Sequence, residues 1–155
     1  MIIKEYGLRI DQKKNQYYLE VIQSFRHENI ELSSPGIICD LMQEKYKLQE
    51  KADEYVYMIC FNQKMKVLGI FEISHGTGSA SIIDVRGVFM RAVYIGAQNI
   101  MLIHNHPSGE IQISKEDEMI TRRFKDAGLL MGIPLIDHIV IGKDAYYSFH
   151  ENQKL

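Results

Sequence analysis

The chain is poor in the residues that staple or stiffen a fold. Among 155 residues there are two cysteines, three prolines and no tryptophan. Cys39 and Cys60 stand apart in apolar surroundings, which excludes a disulfide framework and any Cys-x-x-Cys metal or redox pair. An excess of either charge is also lacking. Eighteen basic against twenty acidic side chains leave a net charge of -2, which argues against a surface devoted to coating nucleic acid, though not against a local basic patch. No apolar run approaches the roughly 18 residues of a membrane helix. Met1–Glu5 has neither the basic stretch nor the apolar run of a secretory signal. Repeats, low-complexity tracts and Pro/Ser-rich linkers are missing too. One domain over residues 1–155, cytoplasmic and off the membrane, is the expectation.

What is present has the make-up of a globular protein: 46% apolar and 25% charged residues exclude a disordered chain. In residues 1–30, Leu19, Val21 and Gln23 to Phe25 half-follow a strand alternation, while Tyr17-Tyr18 suits a helix start equally well. Ser33-Ser34-Pro35 opens a helix, a hydroxyl cap followed by proline in the first turn. Ile37, Ile38, Leu41, Met42 and Tyr46 give it an apolar face. Tyr55–Phe61 and Val67–Ile73 read as a β-hairpin or meander, followed by a glycine-bearing loop over His75–Ser79. Asp84 caps a helix that buries Val85, Val88, Phe89, Ala92 and Val93 and stops at Gly96. Asn99–Ile103 is a buried strand, Ser114 opens a helix running to Gly128, and Leu135–Ile141 and Tyr146–Phe149 are further strands. Strands alternating with helices predict an α/β class with a mixed sheet.

The chemistry gathers after the strand at Asn99. In His104-Asn105-His106 the two imidazoles lie two residues apart, on one face of an extended chain, so both can address one ion. Pro107 then turns the chain away. A catalytic zinc takes three protein ligands and keeps a position for water. Asp117, one turn into the helix that Ser114 opens, is the third candidate. Glu72, late in the apolar run Leu68–Ile73, is the upstream carboxylate best suited to act as base, because a charge there is costly without a partner. Ser114 carries a hydroxyl for a developing oxyanion.

The run His104-Asn105-His106-Pro107, six residues, Ser114, two residues, Asp117 resembles the JAMM (MPN-type, JAB domain) metallopeptidase motif at every ligand position. His104-Asn-His-Pro-Ser-Gly109, Ser74–Gly78 after Glu72, and Asp137-His138-Ile-Val-Ile-Gly142 are similar to the RadC-like branch of that family. The resemblance covers roughly residues 33–150. It implies a cytidine-deaminase-like three-layer fold, a mixed sheet flanked by helices, with one zinc ion on His104, His106 and Asp117. It also implies Glu72 as general base, Ser114 as oxyanion stabiliser, and peptide or isopeptide bonds as substrate. The helix-hairpin-helix DNA-binding segment common in that branch has no counterpart in residues 1–30.

Blander readings stand beside these. Ser114-x-x-Asp117 is also an ordinary helix cap. Glu72 also reads as a strand-end carboxylate turned to solvent or paired with a basic side chain. Asp84 reads as a cap, and Glu110 as an exposed loop residue. His75 reads as solvated, and His138 as a core histidine satisfied by Asp137 or a backbone carbonyl, or as a support to a ligand. Zinc deaminases need His-x-Glu followed by Pro-Cys-x-x-Cys, and helical metalloproteases need His-Glu-x-x-His. Neither string is here. Besides a hydrolase acting on a peptide or protein, the second function class is a zinc-containing, non-catalytic binding module associated with DNA metabolism.

Overall fold

A computed structural model describes residues 1–28, 34–76 and 83–155. Strands β1 (Ile2–Asp11) and β2 (Gln16–Arg26) form an antiparallel hairpin at one edge of the sheet. Tyr17 and Tyr18 therefore open a strand, not a helix. Helix α1 (Pro35–Tyr46) and a short 3-10 turn (Leu48–Glu50) lead to β3 (Glu54–Phe61) and β4 (Val67–Gly76). Helix α2 (Val85–Ile95), β5 (Asn99–Asn105), α3 (Lys115–Met131), β6 (Leu135–Ile141) and β7 (Tyr146–Ser148) complete the order.

The seven strands make one sheet in the order β2-β1-β4-β3-β5-β6-β7. It is mixed: β1–β4 and β5–β6 pair parallel, and the other neighbours pair antiparallel. Successive side chains of a strand point to opposite faces, and β3 divides its residues that way. Tyr57, Ile59 and Phe61 join Ile38, Leu41 and Met42 of α1 in one core. Val56, Met58 and Cys60 join Val88, Phe89 and Ala92 of α2 and Ile120 and Phe124 of α3 in the other. Helices thus cover both faces, the three-layer α/β arrangement expected. Each fully buried Phe or Ile in these cores contributes roughly 1.5–3 kcal/mol against exposure.

The helix ends follow the sequence signals, with local exceptions. Ser34 caps α1, accepting from Ile37 N–H with Pro35 in the first turn; Ser33 lies outside the described residues. Asp84 caps α2, and Gly96 closes it in the left-handed conformation. Val93, placed on the buried side by its spacing, is 53% exposed. Helix α3 runs past Gly128 to Met131, and Gly132 is its left-handed cap. Gly128 serves packing instead, since a Cβ there would lie 2.7 Å from the Ile133 carbonyl oxygen. Strand β4 extends through His75 and Gly76, so the loop expected from His75 begins later; its residues 77–79 lie outside the described ones.

Candidate metal centre

Strand β5 carries His104 to the end of the sheet, and His106 follows at its mouth, held by a backbone hydrogen bond from its N–H to the Ile141 carbonyl (3.0 Å). Val56 pairs with His104 across β3 and belongs to the core under α2 and α3. Both imidazoles therefore face that side. The start of α3 comes to meet them. Ser114 and Asp117 form a reciprocal capping box: Asp117 N–H donates to Ser114 Oγ (3.0 Å), and Ser114 N–H donates to Asp117 Oδ2 (2.7 Å). The box turns the Asp117 carboxylate back along the helix toward the end of β5.

The three side chains converge. His104 Nε2 lies 3.1 Å from His106 Nε2 and 3.2 Å from Asp117 Oδ1, and His106 Nε2 lies 3.4 Å from Asp117 Oδ2. Ligands about 2.0–2.1 Å from a tetrahedral ion stand roughly 3.3–3.4 Å from one another, so the donor set has the spread of a metal site. It is the one His/Asp/Glu/Cys cluster of this kind among the described residues. The chemistry fits as well. His106 Nδ1 donates to the Glu110 carbonyl (3.0 Å), which leaves its Nε2 as the ligating nitrogen. His104 and Asp117 are buried, while the His106 side chain is 17% exposed, so the donor cluster opens to solvent on the His106 side.

The electrostatics agree. Burial alone would raise the Asp117 carboxyl, but the imidazoles of His104 and His106 beside it and the Ser114 backbone N–H hold it far below the usual carboxylate range. The Asp117 carboxylate in turn pushes the His106 imidazole up, against the effect of burial. Two imidazoles and one carboxylate leave a net positive charge on a divalent ion.

Ser114 stands within the site, its hydroxyl donating to Asp117 Oδ2 at 2.7 Å. Glu72 does not. It pairs with Tyr57 on the α1 face of the sheet, where the Tyr57 hydroxyl donates to its Oε2 (3.2 Å) and His75 Nδ1 lies 2.7 Å from its Oε1. A register shift between Val56 and Tyr57 sets this pairing, and the sheet separates Glu72 from the histidines. The expected base is thus on the wrong face.

The carboxylate that the fold brings to the site is Glu54, the first residue of β3. It lies two positions before Val56, hence on the face of Val56 and His104. Burial pushes its carboxyl up, the neighbouring imidazoles of His104 and His106 act to lower it, and the Asp117 carboxylate acts to raise it. Asn105, between the two histidines, clamps the chain on either side of Glu54. Its Oδ1 accepts from Tyr55 N–H (2.8 Å), and its Nδ2 donates to the Asp53 carbonyl (3.0 Å). A glutamate opening an apolar strand was visible in the sequence, but only the pairing of β3 with β5 sets it beside His104.

The remaining candidates take other places. Asp84 accepts from the backbone of Arg86 and Gly87 as a helix cap, and Glu110 offers its carbonyl to His106. His138 is buried, but its ring bonds His104 and Thr121; Asp137 holds only its backbone N–H. No described helix is long and apolar enough to cross a membrane.

Comparison with known proteins gives a consistent result. Residues 32–155 match the model of the family described as RadC-like JAB domain. The chain is 40% identical over 102 residues to a UPF0758 protein of Thermotoga maritima, covering 66% of this chain and 46% of that protein. It is 38% identical over 130 residues to a UPF0758 protein of Alkaliphilus metalliredigens, covering 84% and 55%. With a UPF0758 protein of Clostridium tetani it shares 34% identity over 141 residues, 88% of this chain and 61% of that one. The chain spans about half the length of the curated relatives it matches.

Proposed function

This chain belongs to the RadC-like JAB domain family, and from that premise we propose that it is a zinc-dependent hydrolase of peptide or isopeptide bonds. The observation that carries the reading is a three-donor cluster at metal-ligand spacing with a desolvated carboxylate, Glu54, beside it. Imidazole nitrogens favour zinc over magnesium or calcium, which prefer all-oxygen shells. Zinc bound here supplies Lewis-acid polarisation of a carbonyl oxygen and a water of lowered pKa.

The chain's own groups do the rest. His104, His106 and Asp117 hold the ion. Glu54 accepts the proton of the attacking water and returns it to the departing nitrogen, a task suited to a carboxyl raised by burial. This role replaces the one expected for Glu72. The Ser114 hydroxyl turns from Asp117 to donate to the oxyanion. Substrate enters from the exposed edge of His106. The alternative, a DNA-associated module, gains nothing from the groove beside α3, where Glu118 and Asp126 stand among Arg122, Lys125 and Lys154; a phosphate track is uniformly basic.

The test is a screen of the zinc-loaded protein against a library of peptides and isopeptides, with Glu54→Gln as control. Zinc-dependent cleavage that disappears in the control supports the proposal. Equal cleavage in Glu54→Gln removes Glu54 from the chemistry, and no cleavage of any member argues for a non-catalytic zinc module.

A further inference from the structure

We propose that His138 and Thr121 are positioning residues that decide which nitrogen of His104 faces the metal. The inference rests on the reading of His104, His106 and Asp117 as ligands. Three hydrogen bonds run in series behind that site. His104 Nδ1 lies 2.8 Å from His138 Nε2, His138 Nδ1 lies 2.6 Å from Thr121 Oγ1, and Thr121 Oγ1 lies 2.6 Å from the backbone oxygen of Asp117. The chain thus begins on one ligand and ends on another.

The far end gives the series a direction. A carbonyl oxygen only accepts, so the Thr121 hydroxyl donates its one proton to Asp117. Thr121 Oγ1 must then accept from His138 Nδ1–H. The buried His138 ring meets Thr121 at Nδ1 and His104 at Nε2, so with its proton on Nδ1 its Nε2 offers a lone pair. That lone pair accepts from His104 Nδ1–H. His104 is left with a bare Nε2 pointing at His106 and Asp117, the form a metal needs. Reversing the series would put a proton on His104 Nε2, block the ion and strip Asp117 of the threonine bond.

The fold holds each link in place. Parallel pairing of β5 and β6 sets Leu102 opposite His138, with His104 two residues further along the same face. Phe149 stacks on the His138 ring, with centroids 5.1 Å apart and planes 10° from parallel. Thr121 follows Asp117 by four residues on α3, so its hydroxyl returns to the Asp117 carbonyl. A core histidine needs only some partner. This one has both nitrogens committed to groups that belong to the ligands' own framework.

The experiment uses zinc alone as the probe and needs no substrate. Long-range proton–nitrogen NMR of the zinc-loaded wild type reads the protonated nitrogen of each histidine. Nδ1–H is expected on both His104 and His138, and Nε2–H on His138 overturns the inference without any variant. Chelator competition then compares Thr121→Val, Thr121→Ser and Asp117→Ala. Thr121→Val keeps the packing and removes the hydroxyl, and should weaken zinc binding by about 10–100-fold; Thr121→Ser should restore it. Wild-type affinity in Thr121→Val overturns the relay. Asp117→Ala separates the two readings: a full equivalent of zinc there overturns the ligand set itself, and a wild type that takes no zinc overturns both.

Discussion

The two faces of the sheet carry similar side chains and put them to different ends. Under α1, Glu5 and Glu72 each have local partners: Gln23 donates to Glu5, and Tyr57 and His75 bond Glu72. Under α2 and α3, Asp117 receives two imidazoles whose remaining nitrogens are already committed. A carboxylate near a histidine is thus common to both faces. Convergence of three donors from two elements is confined to one, among the described residues. The comparison teaches that a carboxylate joins a donor cluster through what else points at it, not through burial.

The sharpest way to break this contrast is to remove one donor from each face. Asp117→Ala should lose stoichiometric zinc, whereas Glu72→Gln should keep a full equivalent; elemental analysis of both decides it. Next in size is the base. Glu54→Gln should retain zinc and lose roughly 10²–10⁴-fold in turnover, with Glu72→Gln near wild type in the same assay. The sign of the pH dependence follows from the raised Glu54 carboxyl. A base works deprotonated, so activity should fall as pH drops through the Glu54 titration, and this limb should vanish in Glu54→Gln. Comparable acid limbs in both proteins would remove Glu54 from the role.

A smaller effect is expected of Asn105, whose amide clamps residues 53 and 55. Asn105→Ala should keep zinc and lower kcat by up to about 10²-fold through misplacement of Glu54. Equal kcat with zinc unchanged would make the clamp purely structural. The smallest is on stability. At Gly128 an added Cβ meets backbone that cannot swing away, so Gly128→Ala should cost about 1–3 kcal/mol, read as a lower denaturant midpoint with an unchanged slope.

The linear chain displayed one half of this site well. His104 and His106 are two apart at a strand end, and Ser114 and Asp117 are three apart at a helix start; in both cases local periodicity brings the side chains to one face. Helix caps at Ser34, Asp84 and Ser114 were legible for the same reason, because a cap is satisfied within its own first turn. Glu72 was misplaced because the signal used, a charge in an apolar strand, says that a carboxylate needs a partner and nothing about which side of the sheet it faces. The hairpin of residues 1–28 was ambiguous since its strands bury little: Tyr17, Tyr18, Val21 and Ile22 are all exposed, so no strong alternation marks them.

By itself, then, the sequence determined the class of fold, the helix starts and the motif His104-x-His106 with Asp117, all features set by neighbours within a few residues. Only the tertiary structure decided that Glu54 and not Glu72 stands at the ligands, and that His138 and Thr121 stand behind them. Those facts depend on strand register, and a slip of one residue turns every side chain to the opposite face. Register is chosen by the packing of both cores together, which no local stretch of the chain contains.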